Sequence, residues 1–320
     1  MTIERLPTMI KRTLYFGNPA YLSLRNAQLV LRLPEVVKND TLSAVVKKEL
    51  ERTIPIEDIG VVILDHKQIT ITQGLLEKLM ENNCAVITCD STRMPAGLLL
   101  PLDVHSVQSE RFRAQVDSSK PLRKQLWQQT VAAKIANQAA MLHRVEPATE
   151  VGNMMAWARA VRSDDAMNLE ARAAAYYWRN FFPECDGFVR HREGDAPNHL
   201  LNYGYAILRG VIARALVGSG LLPTLGIHHR NKFNAYCLAD DIMEPYRPFV
   251  DEVVKRMVKK YGLLDDITTE MKRDLLAIPT LDVKIERKRS PLMIAASVTT
   301  SSLARCYAGE SRLISYPELA

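Results

Sequence analysis

TLYFGNPAYLSLRNAQLVLRL, residues 13–33, decides how the chain begins. Leu22 and Leu24, then Leu29, Leu31 and Leu33, stand at every second position, which is the period of a half-buried strand. Asn18-Pro19 and Arg25-Asn26 supply turns between the runs. IGVVILD (59–65) is a continuous β-branched run, HKQITIT adds a short alternating piece, and CAVITCD (84–90) returns to strand. Between them QGLLEKLMENN places Leu75, Leu76, Leu79 and Met80 on one helical face. Residues 1–92 therefore read as a compact, mainly-β domain with one helix.

The texture then changes. STRMPAGLLLPLDVHS carries two prolines and no usable period, so 93–108 reads as a linker. In KPLRKQLWQQTVAAKIANQAAMLHR, Trp127, Val131, Ile135, Ala139 and Leu142 recur at three and four, with Lys124, Gln128, Lys134 and Gln138 off that stripe. Pro121 sits where a helix tolerates proline. Helical patterns continue over about 151–162, 165–182, 197–219, 234–261 and 264–278. The cluster KIERKRS (284–290) precedes an alanine- and serine-rich last helix. The fold class expected is α+β: a small N-terminal mainly-β domain followed by a larger all-α domain, 109–320.

Composition narrows the function classes. The five cysteines (Cys84, Cys89, Cys185, Cys237, Cys306) never form a CxxC pair, which argues against a disulfide framework or a structural zinc cluster. The start, MTIERLPTMIKR, lacks the apolar core of a secretory signal, and no run approaches the roughly 18 apolar residues of a membrane span. A cytoplasmic protein is expected. The net charge of +6 lies wholly beyond residue 92, since residues 1–92 balance 11 Lys/Arg against 11 Asp/Glu. A basic bias confined to one part suggests a polyanionic partner for that part.

Chemistry concentrates in GIHHRNKFNAYCLADDIMEPYRP, residues 226–248. Asp241 and Glu244 lie three apart and Asp240 and Glu244 four apart, so these acids share a helix face. Pro245 and Pro248 remove the backbone partners of the Asp241 and Glu244 carbonyls and should kink the helix there. The stretch reads as a solvated, proline-kinked helix start or as a metal site. His228 and His229 point in different directions, so one at most is expected to join the acids. One histidine with carboxylates and no cysteine favours Mg²⁺ or Mn²⁺ over structural zinc. In DDAMNLEARAAAYYWRNFF (164–182), Glu170 stands among small residues, which suits either a plain buried helix or the close approach of a ligand. NHLLNYGYAILRGVIARALVGSGLLPTLGIHH (198–229) runs into the histidine turn, and Arg230, Lys232 and Arg247 lie close by as candidate phosphate contacts.

Taken in order, KQLWQQTVAAKIANQ, LEARAAAYYW, NHLLNYGYAIL and GLLPTLGIHHRNKFNAYCLADDIMEPYRP closely resemble the CRISPR-associated spacer-acquisition integrases, over nearly the whole chain and most nearly in the type II forms. The resemblance implies a metal-dependent DNA endonuclease and integrase, with Glu170, His229 and Glu244 as catalytic metal ligands for Mg²⁺ or Mn²⁺. Asp241 would assist them from behind. Many relatives carry Glu-Gly where this chain has Glu170-Ala171. The implied reaction inserts short DNA fragments into a CRISPR array by attack of a 3′-hydroxyl on a phosphodiester. The implied partners are double-stranded DNA, a second copy joined through the β domain, and a small dimeric ferredoxin-like subunit. An RNA-guided effector nuclease and an accessory acquisition protein complete the set, with no membrane. A nuclease of the same fold acting on branched repair DNA, and a non-catalytic DNA-gripping subunit, stand as alternatives.

Overall fold

The computed structural model describes residues 11–319, which form two compact units dividing between Val104 and His105. Residues 1–10, where the start of the chain was read for a signal, lie outside the described residues.

The first unit holds two four-stranded sheets. β1 (Arg12–Phe16), β5 (Ile59–Leu64), β7 (Ala85–Cys89) and β8 (Pro95–Leu99) lie side by side in that order. β5 is paired in parallel on both sides, and this central position explains its unbroken apolar run. The second sheet has the order β4 (Arg52–Pro55), β3 (Gln28–Arg32), β2 (Ala20–Arg25), β6 (Ile69–Ile71). Asn26 and Ala27, both at positive φ, make the two-residue turn that sets the β2–β3 register, with Leu22 opposite Leu31 and Leu24 opposite Leu29. The core is apolar throughout: Leu22, Leu29, Ile59, Val62 and Val86 pack against Leu75 and Leu79 of α3 (Gln73–Glu81).

Two expectations fail here. The 93–108 segment is not a bare linker, because its first part is strand β8, antiparallel to β7. That strand was hidden by Pro95 and Gly97, residues that an edge strand accepts and a central one does not. The unit also has more than one helix: α1 (Pro34–Val37) and α2 (Ala44–Glu49) are short and bury no residue, so they leave no apolar stripe to read.

The second unit is helical. α4 (Gln108–Val116) precedes α5 (Lys120–Val145), whose start is capped by the Ser119 hydroxyl accepting from the Leu122 amide. The anticipated α5 stripe is buried, and so are Lys134 and Gln138, which the periodicity had placed off it. α6 (Gly152–Ala160), α7 (Leu169–Phe181) and α8 (Asn198–Gly218) follow. α8 is by length and composition apolar enough to cross a membrane, though Arg209 and Arg214 interrupt its apolar run, and 78% of its apolar window is buried inside the protein. Gly204 explains part of that packing: a Cβ there would come within 2.5 Å of Val250 Cγ1 on α10 (Arg247–Tyr261).

The kink predicted at Pro245 separates α9 (Cys237–Met243) from α10 by a tight turn, Glu244–Tyr246. α11 (Thr269–Leu276) starts later than its pattern suggested, where the Thr268 hydroxyl caps it. The basic KIERKRS cluster is a β-hairpin, β9 (Asp282–Ile285) and β10 (Lys288–Pro291), turned on Glu286 and Arg287 at positive φ. Neither residue is a usual choice for such a turn, so sequence gave no cue. α12 (Leu292–Tyr307) is the expected last helix.

Candidate active site

Glu170 enters from the first turn of α7. Asp164, Asp165 and Asn168 precede it at positive φ, which breaks the helical pattern and turns the chain into the helix. The Asp165 carboxylate then accepts from the amides of Leu169 and Glu170, each at 2.9 Å, and fixes the residue in place.

His229 and Asp241 form a second element. Asp241 is fully buried and its carboxylate accepts from the amides of His228 and His229 and, at 2.5 Å, from His229 Nδ1. Because a carboxylate only accepts, the Nδ1 carries the proton, and Nε2 of a neutral ring is left for a metal or a proton. The hydrogen bond to Asp241 raises the His229 pKa, partly opposed by burial and reinforced by the charges of Asp241, Glu244 and Glu170. The glycine that leads this turn is required by space: a Cβ on Gly226 would lie 2.3 Å from the His229 carbonyl oxygen and 2.9 Å from Asp241 Oδ2.

Glu244 stands at the kink between α9 and α10, 5% exposed. Its Oε1 accepts from Arg247 Nε at 2.9 Å, while Oε2 lies 2.6 Å from Lys134 Nζ. Burial alone would push this carboxyl up, but Arg247, Lys134 and His229 more than offset it and hold it at about 2. Lys134 Nζ also lies 2.6 Å from Glu170 Oε1, so one ammonium spans the two glutamates. Burial would lower the Lys134 pKa, yet Glu244 and Glu170 raise it overall, so the lysine is charged.

Of the three residues proposed as metal ligands, Glu170 and Glu244 converge on Lys134, and His229, backed by Asp241, lies within reach of their charges. Among the described residues, no three acidic, histidine or cysteine side chains stand as a ready-made metal cluster. The donor set nevertheless fits a hard divalent cation: two carboxylates and one imidazole oriented by a carboxylate. Glu244 Oε2 is buried without an aligned hydrogen bond, its contact with Lys134 being ionic. Such an oxygen suits a cation.

The other predicted residues separate. Arg230 and Lys232 are exposed in the loop after the histidines, with the Lys232 ammonium 4.8 Å from the Phe233 ring centre. Arg247, expected on the phosphate-gripping surface, is instead half-buried, paired with Glu244 and laid over the Tyr205 ring at 4.5 Å. A helix position three after an acid puts the two side chains together, and burial makes that pairing the stronger demand. His228 stacks on Trp127 at 4.3 Å, its Nδ1 3.9 Å from Asp164.

Sequence reasoning missed Lys134 altogether. On α5 alone it looks like a solvent-facing lysine, and only the arrival of α7 and the Glu244 turn gives it partners. Trp127 was read as core, which it is, but its ring also carries both histidines, with His229 edge-on at 5.7 Å.

The family profile described as CRISPR associated protein Cas1 matches residues 31–278. The chain is 35% identical over 300 residues to the CRISPR-associated endonuclease Cas1 of Neisseria meningitidis serogroup C (strain 8013), covering 92% of this chain and 91% of that one. Among solved structures it is similar to a casposase bound to integration product, with a TM-score of 0.75, 19% identity, and 96% and 92% of the two chains covered. It is also similar to a chain of a Cas6-RT-Cas1–Cas2 complex, with a TM-score of 0.71, 20% identity, and 98% of this chain against 36% of that one. By its profile match and by its likeness to the Neisseria protein over most of both lengths, this chain belongs to the CRISPR-associated Cas1 family.

Proposed function

We propose that the chain is a divalent-metal-dependent DNA endonuclease and integrase, which inserts short DNA fragments into a CRISPR array by transesterification. The observation that carries this reading is the convergence of Glu170 and Glu244 on one ammonium, with His229, held by Asp241, near enough for both glutamate charges to act on it. The endonuclease name of the Neisseria relative supports it, and so do the integration product bound by the casposase and the Cas1–Cas2 assembly.

Glu170, Glu244 and His229 Nε2 would hold Mg²⁺ or Mn²⁺. The bound ion would lower the pKa of an attacking 3′-hydroxyl and stabilise charge on the phosphodiester in the transition state. Asp241 keeps the His229 ring in the tautomer and orientation that present Nε2. Arg247 keeps Glu244 ionised and aimed. Arg230 and Lys232, both exposed in the loop after the histidine, would meet phosphates, and their contribution would fall steeply with salt. Double-stranded DNA is the substrate, and a small dimeric subunit of the Cas2 kind is the partner. The first unit would join two copies, a role supported by its neutral charge and by exposed Val37, Val45, Val46 and Leu50 on and beside α1 and α2.

The test is strand transfer into supercoiled DNA carrying a CRISPR repeat, with the partner subunit and Mn²⁺ or Mg²⁺ supplied. Half-site product is expected from the intact chain, and none after chelation. Wild-type levels of product from Glu244→Gln would overturn the assignment.

A further inference from the structure

Lys134 has no place in the chemistry above, yet it occupies the middle of the site. Only 8% exposed, it is one of the few buried lysines of the second unit. Burying an ammonium is expensive unless the charge is closely matched. The match here is specific: one contact of 2.6 Å to Glu170 and one of 2.6 Å to Glu244. The two glutamate oxygens can therefore be no further apart than twice that distance. Arg247 takes the other Glu244 oxygen, so Oε2 faces the lysine alone and without an aligned hydrogen bond. The ammonium thus has as partners one oxygen from each of two acids that the proposed function assigns to the metal.

We propose that Lys134 is a displaceable counter-ion of this site. In the metal-free protein its ammonium holds Glu170 and Glu244 together, and a divalent cation entering the site competes with it for the same oxygens. The inference rests on the reading that these two acids hold the ion. The competing arrangement is a lysine that stays in contact with the acids and orients them for the ion. The two differ in sign. A competitor, once removed, leaves a site that binds cations more tightly, because two carboxylates are left without neutralisation. A positioning lysine, once removed, leaves a site that binds them less tightly.

The experiment is Mn²⁺ binding by calorimetry at pH 8 and low salt on the full chain, paired with thermal unfolding in EDTA and in Mn²⁺. Lys134→Met is expected to bind Mn²⁺ about tenfold more tightly than wild type, since one full positive charge has left a partly buried site. It should also unfold at a lower temperature in EDTA and gain more from Mn²⁺ than wild type does. Lys134→Gln repeats the charge removal with a polar side chain, should Lys134→Met fail to fold. Lys134→Arg keeps the charge and is expected to bind Mn²⁺ no more tightly than wild type. Unchanged or weaker Mn²⁺ binding by Lys134→Met or Lys134→Gln overturns the proposal, as does equal tightening by Lys134→Arg. If Glu170→Gln and Glu244→Gln each bind Mn²⁺ as wild type does, the metal assignment itself fails and the proposal falls with it.

Discussion

The two units of this protein are built on opposite terms. The first has an apolar core of Leu, Ile, Val and a few small residues, and Asp65 is the one buried charged residue among its described residues. The second buries Lys134, Asp240, Asp241, Glu244, Asp251, Lys255 and Lys272 beneath helices that also supply a large apolar core. Each of these charges has partners. Lys255 meets Glu146 at 2.8 Å and Glu184 at 2.6 Å, and Asp251 accepts from the hydroxyls of Tyr177 and Tyr205. A core of the first kind is stabilised by area removed from water and needs no particular chemistry. Buried charge of the second kind adds little net stability, so its presence calls for another reason. The contrast marks the second unit, where Lys134 and Glu244 lie, as the place to test for function.

That contrast can be broken by substitution. Glu244→Gln is expected to have the largest effect, a loss of roughly a thousandfold or more in strand transfer, because it removes charge where the reaction needs it. It also leaves Lys134 and Arg247 short of a buried partner, so a loss of about 3 kcal/mol in stability by denaturant unfolding should accompany it. Unchanged activity with reduced stability would make the buried charge merely structural. Leu75→Ala, in the first unit, should cost about 3 kcal/mol of stability through its cavity while leaving Mn²⁺ affinity unchanged. A loss of metal binding in that variant would erase the division of labour.

Asp241→Asn is a finer probe. The ring of His229 and the amides of residues 228 and 229 all lean on this carboxylate, and its loss should lower metal affinity or activity by about 10- to 100-fold. Measured metal affinity equal to wild type would remove Asp241 from the site. His228→Ala should be the mildest: it keeps activity within a few-fold and loses about 1 kcal/mol of stability with the Trp127 stack. Complete inactivity would mean that the stack, and not Asp241, sets the position of His229.

Much of this was legible before any coordinates. Alternation at Leu22 and Leu29, the continuous run in β5 and the three-four spacing on α5 report which face meets apolar neighbours, and that is decided locally. The proline kink after Glu244 was equally plain, since a missing amide acts within one turn. Glu170, His229 and Glu244 could be proposed as ligands because resemblance to a family carries long-range information that periodicity lacks. Elements without a stripe were lost: the buried-nothing helices α1 and α2, the proline- and glycine-bearing edge strand β8, and a hairpin turned on Glu286 and Arg287.

By itself, then, the sequence determined the order of a β unit and a helical unit, the helix faces, and the residue types able to hold a divalent ion. Tertiary structure alone decided the fate of the cation at the centre, Lys134. Lys134 looks in sequence like a surface charge and in the fold is committed to Glu170 and Glu244. The reason is physical: hydrophobic periodicity is a property of one element against an average interior, whereas the partners of Lys134 are single atoms on other elements, and only packing brings them within 3 Å.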